Sequence, residues 1–217
     1  MILYYGLPYR EYEEAFLTFF EVFFRHLIED EGGYLPGRRA KKIGDVGGAT
    51  NWGISLRYLK TCDVNIADIN HDGIIDEKDI VMLTKEQAKY LYFKYFWNPL
   101  YAEIRHIQLA NRLFNFGVNA GRKTSVKLLQ HTVNKMLDIP LLKEDGFFAR
   151  KTLAAVRNVN QELLYRLFVI AISDYYRSLG KPQFIKGWLK RLSRLLPDSL
   201  VKRIKFWKDK QEFKNVA

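Results

Sequence analysis

IEDEGGYLPGRRAKKIGDVGGATNWGIS, residues 28–55, is the stretch on which the reading of this chain turns. An acidic cluster ending in Glu31 runs straight into Gly32 and Gly33, and a second glycine pair, Gly47-Gly48, lies between Asp45 and Thr50. Upstream, residues 10–30 have the length and crowded apolar content of a helix packed on more than one side. If that helix ends near Glu31, its last turn carries Glu29, Asp30 and Glu31 at the negative pole of the macrodipole. Ionised carboxylates cost about 0.3–1 kcal/mol each in such a place. The same field, with neighbouring acids, favours a protonated carboxyl, which suits a general acid that must hold its proton near neutral pH. Glycines directly after the acid leave room for a large substrate to approach the backbone. Asp45 supplies a second carboxylate and Thr50 a hydroxyl able to hold water, so the parts that glycosidic hydrolysis requires are present. The same residues also fit a plainer reading, in which Glu31 is an exposed loop acid, Asp45 starts a turn and Thr50 caps a helix.

The 217 residues suffice for one globule with a sizeable core, or one domain with an appended segment. With 48% hydrophobic and 27% charged residues the chain reads as folded and soluble. The single cysteine, Cys62, excludes an intramolecular disulfide framework and a cysteine-rich zinc site, and reads as a small buried or half-buried hydrophobe. The aromatic start of the chain is interrupted by Arg10, Glu11, Glu13, Glu14, Glu21 and Arg25, so no stretch approaches the roughly 20 apolar residues of a membrane span. No signal peptide is expected.

Farther along, Thr84 and Gln87 form a capping-box pattern, and Ala88, Leu91, Tyr92 and Tyr95 follow on one helical face. Further helical patterns cover about 122–137, 159–178 and 183–195, punctuated at Asp145-Gly146 and Gly180-Lys-Pro182. The expected class is mainly α, with a loop-rich or short β-hairpin insertion after the first long helix. Between insertion and capping box, Asp68, Asn70, Asp72, Asp76 and Asp79 place oxygens at positions 1, 3, 5, 9 and 12 of an EF-hand-like loop, with Gly73 at position 6 and the carbonyl of Ile74 at position 7. Asp79 replaces the usual terminal Glu, and the loop has no partner hand. A structural calcium ion is the expectation; a metal-free Asx-rich turn is the alternative. His26, His71, His106 and His131 show no zinc spacing.

Glu31-Gly-Gly-Tyr34, followed by Asp45-Val-Gly-Gly-Ala-Thr-Asn-Trp-Gly-Ile-Ser55, resembles the signature of the glycoside hydrolase family 108 muramidases, lysozyme-like enzymes that cut peptidoglycan. The likeness continues through Asp68–Asp76, Leu83–Ala88, Tyr95-Phe-Trp97 and Phe114–Gly121. Leu128-Leu-Gln130, Asp145-Gly146 and Thr152–Val156 resemble the peptidoglycan-binding region that follows in that family, so the resemblance spans about 15–190. It implies a lysozyme-like helical fold with a catalytic lobe at 10–115 and a peptidoglycan-binding-like lobe at 116–190; the residues after it read by themselves as a basic C-terminal helix at 191–217. It implies Glu31 as catalytic acid; Asp45 and Thr50 occupy places similar to the carboxylate and hydroxyl of phage-type lysozymes. There are departures: Asn115 stands where an Asp is expected, and Ala149-Arg150 replaces a usual Gly-Pro. Tyr34, Trp52 and Trp97 are candidate sugar-stacking platforms, or equally core residues. Asn119 is a candidate for binding an N-acetyl group or peptide stem, although holding local backbone is the commoner task.

Of the net charge of +11, the segment from Lys186 onward carries +7, with ten Lys or Arg against three Asp or Glu. Leu200, Val201, Ile204 and Trp207 form a stripe flanked by Lys202, Arg203, Lys205 and Lys208, the pattern of a basic amphipathic helix. It fits an anionic membrane or wall surface, or a final helix docked on its own domain. No nucleic-acid motif is present. The expected partner is peptidoglycan, reached by a monomeric endolysin-like enzyme made in a bacterial cytoplasm and released to the wall. A lytic transglycosylase using the same Glu, and a non-catalytic wall-binding protein, stay open.

Overall fold

Helix α1 (Tyr9–Ile28) follows a short antiparallel pair, β1 (Leu3–Tyr4) and β2 (Leu7–Pro8), and realises the long apolar pattern near the amino terminus. A computed structural model describes residues 3–4, 7–28, 33–37, 48–195 and 198. Glu31, Asp45 and the basic segment 199–217 lie outside the described residues. By packing, the chain divides into two compact units, Phe24–Tyr95 and a second made of Met1–Phe23 with Phe96–Ala217.

The Phe24–Tyr95 unit consists of short elements. A hairpin pairs β3 (Thr50–Asn51) with β4 (Ile54–Ser55), opposing Thr50 to Ser55 and Asn51 to Ile54. Its two turn residues, Trp52 and Gly53, have φ of 49° and 74°. Positive φ at both central positions is the turn that matches the twist of a two-residue hairpin. Three small helices follow: α2 (Leu56–Leu59), α3 (Val64–Ala67) and α4 (Glu77–Met82). Helix α5 (Lys85–Phe96) opens on the predicted reciprocal capping box, in which Gln87 N–H donates to Thr84 Oγ1 at 3.2 Å and Thr84 N–H to Gln87 Oε1 at 2.9 Å. Phe24, Leu27, Ile54, Leu59, Ile80, Leu91 and Tyr92 are buried. Cys62 is half-buried, and burial pushes its thiol above the usual range.

In the second unit a 3-10 helix (Pro99–Glu103) leads to α6 (Ile107–Ala120), α7 (Arg122–Leu137), α8 (Arg150–Asn158), α9 (Gln161–Ser178) and α10 (Pro182–Ser193). Helix α6 packs on α7 and α9, and α9 also on α10. Trp97 is enclosed by Phe20, Phe23, Tyr101 and Phe114, with ring centroids 5.5–5.8 Å apart, and only 4% of its surface is exposed. It is therefore core, and the sugar-stacking expectation for Trp97 is corrected. Residues 115 and 116, between which the sequence suggested a boundary, lie within α6.

The buried guanidinium of Arg112 meets no carboxylate among its described contacts; it donates to the carbonyls of Arg191 (3.3 Å) and Arg194 (2.6 Å) at the end of α10. Carbonyls at a helix C-terminus carry partial negative charge, so they partly compensate a cation whose pKa burial lowers. The loop after α7 is pinned by Gln130. Its Nε2 donates to Asp145 Oδ1, to the Phe147 carbonyl and to Thr152 Oγ1, and its Oε1 accepts from Gly146 N–H at 2.9 Å. Gly146 has φ of 80°, and a Cβ there would fall 2.5 Å from Lys123 Cγ. Glycine is required on both counts. Gln130, Asp145-Gly146 and Thr152, all part of the resemblance to a wall-binding region, thus hold one another.

Candidate functional site

Along the chain, Ile28 at the end of α1 and Gly33 flank the segment containing Glu31. The segment after it is well anchored. Leu35 and Thr50 form a β-bridge, with Leu35 N–H donating to the Thr50 carbonyl at 2.7 Å and Thr50 N–H to the Leu35 carbonyl at 2.9 Å. The candidate hydroxyl residue and the stretch just after the candidate acid are thereby held side by side. Thr50 Oγ1 is half-buried and among the described residues reaches only the Gly48 carbonyl at 3.4 Å, a long contact for a hydroxyl donor. It keeps capacity to hold a water.

Tyr34 is 42% exposed, so its ring is available, and its hydroxyl donates to Glu77 Oε1 at 2.7 Å. The same oxygen accepts Gly37 N–H at 3.0 Å. Glu77 is the first residue of α4, whose other end is also tied: Asn51 Nδ2 donates to the carbonyls of Ile80 (3.0 Å) and Leu83 (3.3 Å), and Trp52 Nε1 to Leu83 (3.0 Å). The Trp52 carbonyl accepts the Tyr92 hydroxyl at 3.0 Å. Trp52 is thus half-buried and fixed through its indole N–H and its backbone. These bonds oppose the strain of a bulky residue at positive φ, about 1–3 kcal/mol.

Sequence reasoning missed Glu77 and Asn51. Glu77 reads locally as an acid in the first turn of a helix, where the macrodipole favours it without any distant partner. Asn51 reads as a turn residue, yet it is 8% exposed and caps a helix end about 30 residues away.

The EF-hand-like loop is closed by its own amides. Asp68 accepts from Asp72 N–H (3.2 Å) and Gly73 N–H (2.9 Å), Asp72 from Ile74 N–H (2.9 Å), and Asp76 from Lys78 N–H (2.7 Å). Asn70 Nδ2 donates to Asp72 at 2.9 Å. The Ile74 amide and the Asn70 side chain hold the Asp72 carboxyl below its ordinary range. Asp79 is fully buried and accepts from Ile69 (2.8 Å), Asn70 (3.3 Å) and Asp76 (2.7 Å), so it closes a capping box with Asp76 at the start of α4. Among the described residues, no three or more His, Cys, Asp or Glu side chains come together in a way that could hold a metal ion.

Asn119 lies at the end of α6, in the helical unit. Its Nδ2 donates to the Asn115 carbonyl of its own helix at 2.9 Å and its Oδ1 accepts from Arg191 Nη1, so one end of its amide holds local backbone and the other joins α6 to α10. Asn115, where an Asp was expected, is 6% exposed; its Nδ2 donates to Asn111 Oδ1 at 2.9 Å. Its Oδ1 has no partner among the described residues, so an ionised Asp there would bury a charge at high cost.

Residues 24–121 match the family described as glycosyl hydrolase 108. The match includes both halves of the opening motif and ends at Gly121, so Leu128-Leu-Gln130, Asp145-Gly146 and Thr152–Val156 lie beyond it. The chain is also similar to the solved structure of Brucella abortus SagA, with 26% identity over 87% of this chain and 94% of that one and a TM-score of 0.63. A search of curated proteins finds no match.

Proposed function

We propose, from the membership of residues 24–121 in the glycosyl hydrolase 108 family, that the protein is a peptidoglycan hydrolase of muramidase type with Glu31 as its general acid. The observation that carries this reading is the family match across Glu31-Gly-Gly-Tyr34 and Asp45–Ser55, two stretches that the Leu35–Thr50 bridge ties together. In the proposed reaction Glu31 protonates the glycosidic oxygen between N-acetylmuramic acid and N-acetylglucosamine while positive charge develops on the sugar ring. Asp45 stabilises that charge or orients the attacking water, and the weakly engaged hydroxyl of Thr50 helps to hold that water. Tyr34, with its exposed ring, is better placed than the half-buried Trp52 to pack on a hexose.

Glu31→Gln, which keeps the shape of the side chain and removes its proton, should lower the release of reducing ends from purified cell walls by at least about a thousandfold with an unchanged melting temperature. Full activity in that variant would sink the assignment. Mass spectrometry of the fragments separates the remaining readings: an internal anhydro ring marks a lytic transglycosylase, and sedimentation with walls without cleavage marks a binding protein. Among the described residues no helix is long and apolar enough to cross a membrane. The basic segment 199–217 is proposed to hold the enzyme to an anionic membrane or wall surface, which its deletion would test.

A further inference from the structure

The proposed active-site stretch is held in place by a residue from outside its motif. Tyr34 and Gly37 lie 43 and 40 residues from Glu77, and one oxygen of Glu77 accepts both the Tyr34 hydroxyl and the Gly37 amide. A second feature points to the same contact: a Cβ on Gly37 would come within 3.0 Å of Glu77 Oε2 and 3.4 Å of Ala49 N. The carboxylate therefore lies directly over the α-carbon of Gly37, and the chain there is pressed against Ala49, the residue before Thr50. Between the two ties runs the Leu35–Thr50 bridge. Tyr34 is three residues from Glu31, so the fixed point lies within roughly 10 Å of the acid along the chain. Glu77 is in turn fixed, because α4 is capped by Asp76 and Asp79 at one end and held by Asn51 and Trp52 at the other.

We infer that Glu77 is a positioning residue for the proposed hydrolysis, setting the Tyr34–Gly37 segment against Thr50 by accepting two hydrogen bonds. The inference rests on Glu31 being the acid. The Tyr34 hydroxyl and the Gly37 amide are neutral donors, so what these two contacts demand of the side chain is reach. Gln keeps the length and an acceptor oxygen but loses the charge; Asp keeps the charge at the helix start but is one methylene too short to meet both donors. A role confined to the stability of α4 ranks the two variants the other way, because the macrodipole rewards the charge.

The test is turnover of soluble glycan-strand fragments by the full chain carrying Glu77→Gln or Glu77→Asp, beside Glu31→Gln and with melting temperatures recorded. Glu77→Gln should keep kcat within about threefold of the starting protein. Glu77→Asp should lose about ten- to a hundredfold in kcat, the range expected when a reacting group is displaced by a fraction of an ångström to an ångström, while melting at least as high as Glu77→Gln. Equal kcat in the two variants, or a lower kcat in Glu77→Gln, overturns the inference while an inactive Glu31→Gln leaves the acid assignment standing. Full activity in Glu31→Gln removes both.

Discussion

In the helical unit, helices of 14, 16 and 18 residues carry whole apolar faces, and aromatic rings from different helices meet edge to face. In the Phe24–Tyr95 unit, α2, α3 and α4 have four, four and six residues, too few to be stable as isolated helices. Their ends are tied instead by Ser55, Asp63, Asp76, Asp79 and Asn51 side chains to backbone groups. Burial of large rings tolerates small shifts, because it is non-directional. A hydrogen bond weakens steeply with angle and distance, so a unit built from them fixes its backbone more narrowly. The proposed catalytic stretch belongs to the second kind of architecture, where precise placement of a few polar atoms matters most.

Substitutions in both units probe that contrast. The largest effect is expected from Phe114→Ala, which empties a 1% exposed site bordered by Phe20, Phe23 and Trp97. It should cost about 3–5 kcal/mol in denaturant unfolding. A loss below about 1 kcal/mol would show that the ring cluster does not carry the helical unit. Next is Asp79→Ala, which removes the acceptor of three amides and should cost about 2–3 kcal/mol. Calcium sharpens this case. If the loop of Asp68, Asn70, Asp72, Ile74, Asp76 and Asp79 binds the ion, a hundredfold excess over Kd stabilises the protein by about 2.7 kcal/mol and Asp72→Asn reduces that gain. If its carboxylates serve only its own amides, added calcium leaves the melting temperature unchanged.

The smallest effect concerns Asp145. The Phe147 amide, and after it the Gln130 side chain, hold its carboxyl below the ordinary value of 3.8. A carboxyl lowered on folding contributes stability that is fully present above the ordinary value and is lost as pH falls through the folded one. Asp145→Asn, whose Oδ1 can still accept the Phe147 amide, should therefore lower the melting temperature slightly at neutral pH, where that contribution is present, and flatten the acid limb of the melting-temperature profile below about pH 4. An acid limb identical to that of the starting protein would show that the carboxylate is solvated and unimportant.

Much of this was legible in the sequence because it is local. The long first helix, the hairpin after it, the Thr84-Gln87 box and the helix over Arg122–Leu137 each carry their signal within a few residues. Helix α6 carries its signal in a polar stripe, Gln108, Asn111, Arg112, Asn115 and Asn119 at helical spacing, which the sequence reading did not pick out; Asn111, Arg112 and Asn115 are nonetheless buried, against the usual placement of polar residues. Asp76 and Asp79 read as ligand positions 9 and 12, but Asp-x-x-Asp is also a capping box, and the same two carboxylates satisfy both patterns. In the candidate site, Tyr34, Thr50 and Trp52 were singled out from the motif, whereas Glu77 was not. Its partners are 40 and 43 residues away and belong to no repeat.

The splint formed by α4 also bears on the order in which this protein is made. Every donor that grips it, from Tyr34 and Gly37 to Asn51 and Trp52, leaves the ribosome before the acceptors on Glu77, Ile80 and Leu83. A nascent chain stalled short of residue 77 holds the whole opening motif yet lacks these acceptors. The proposed sugar-cutting geometry would thus be acquired late, when translation has passed a helix of six residues.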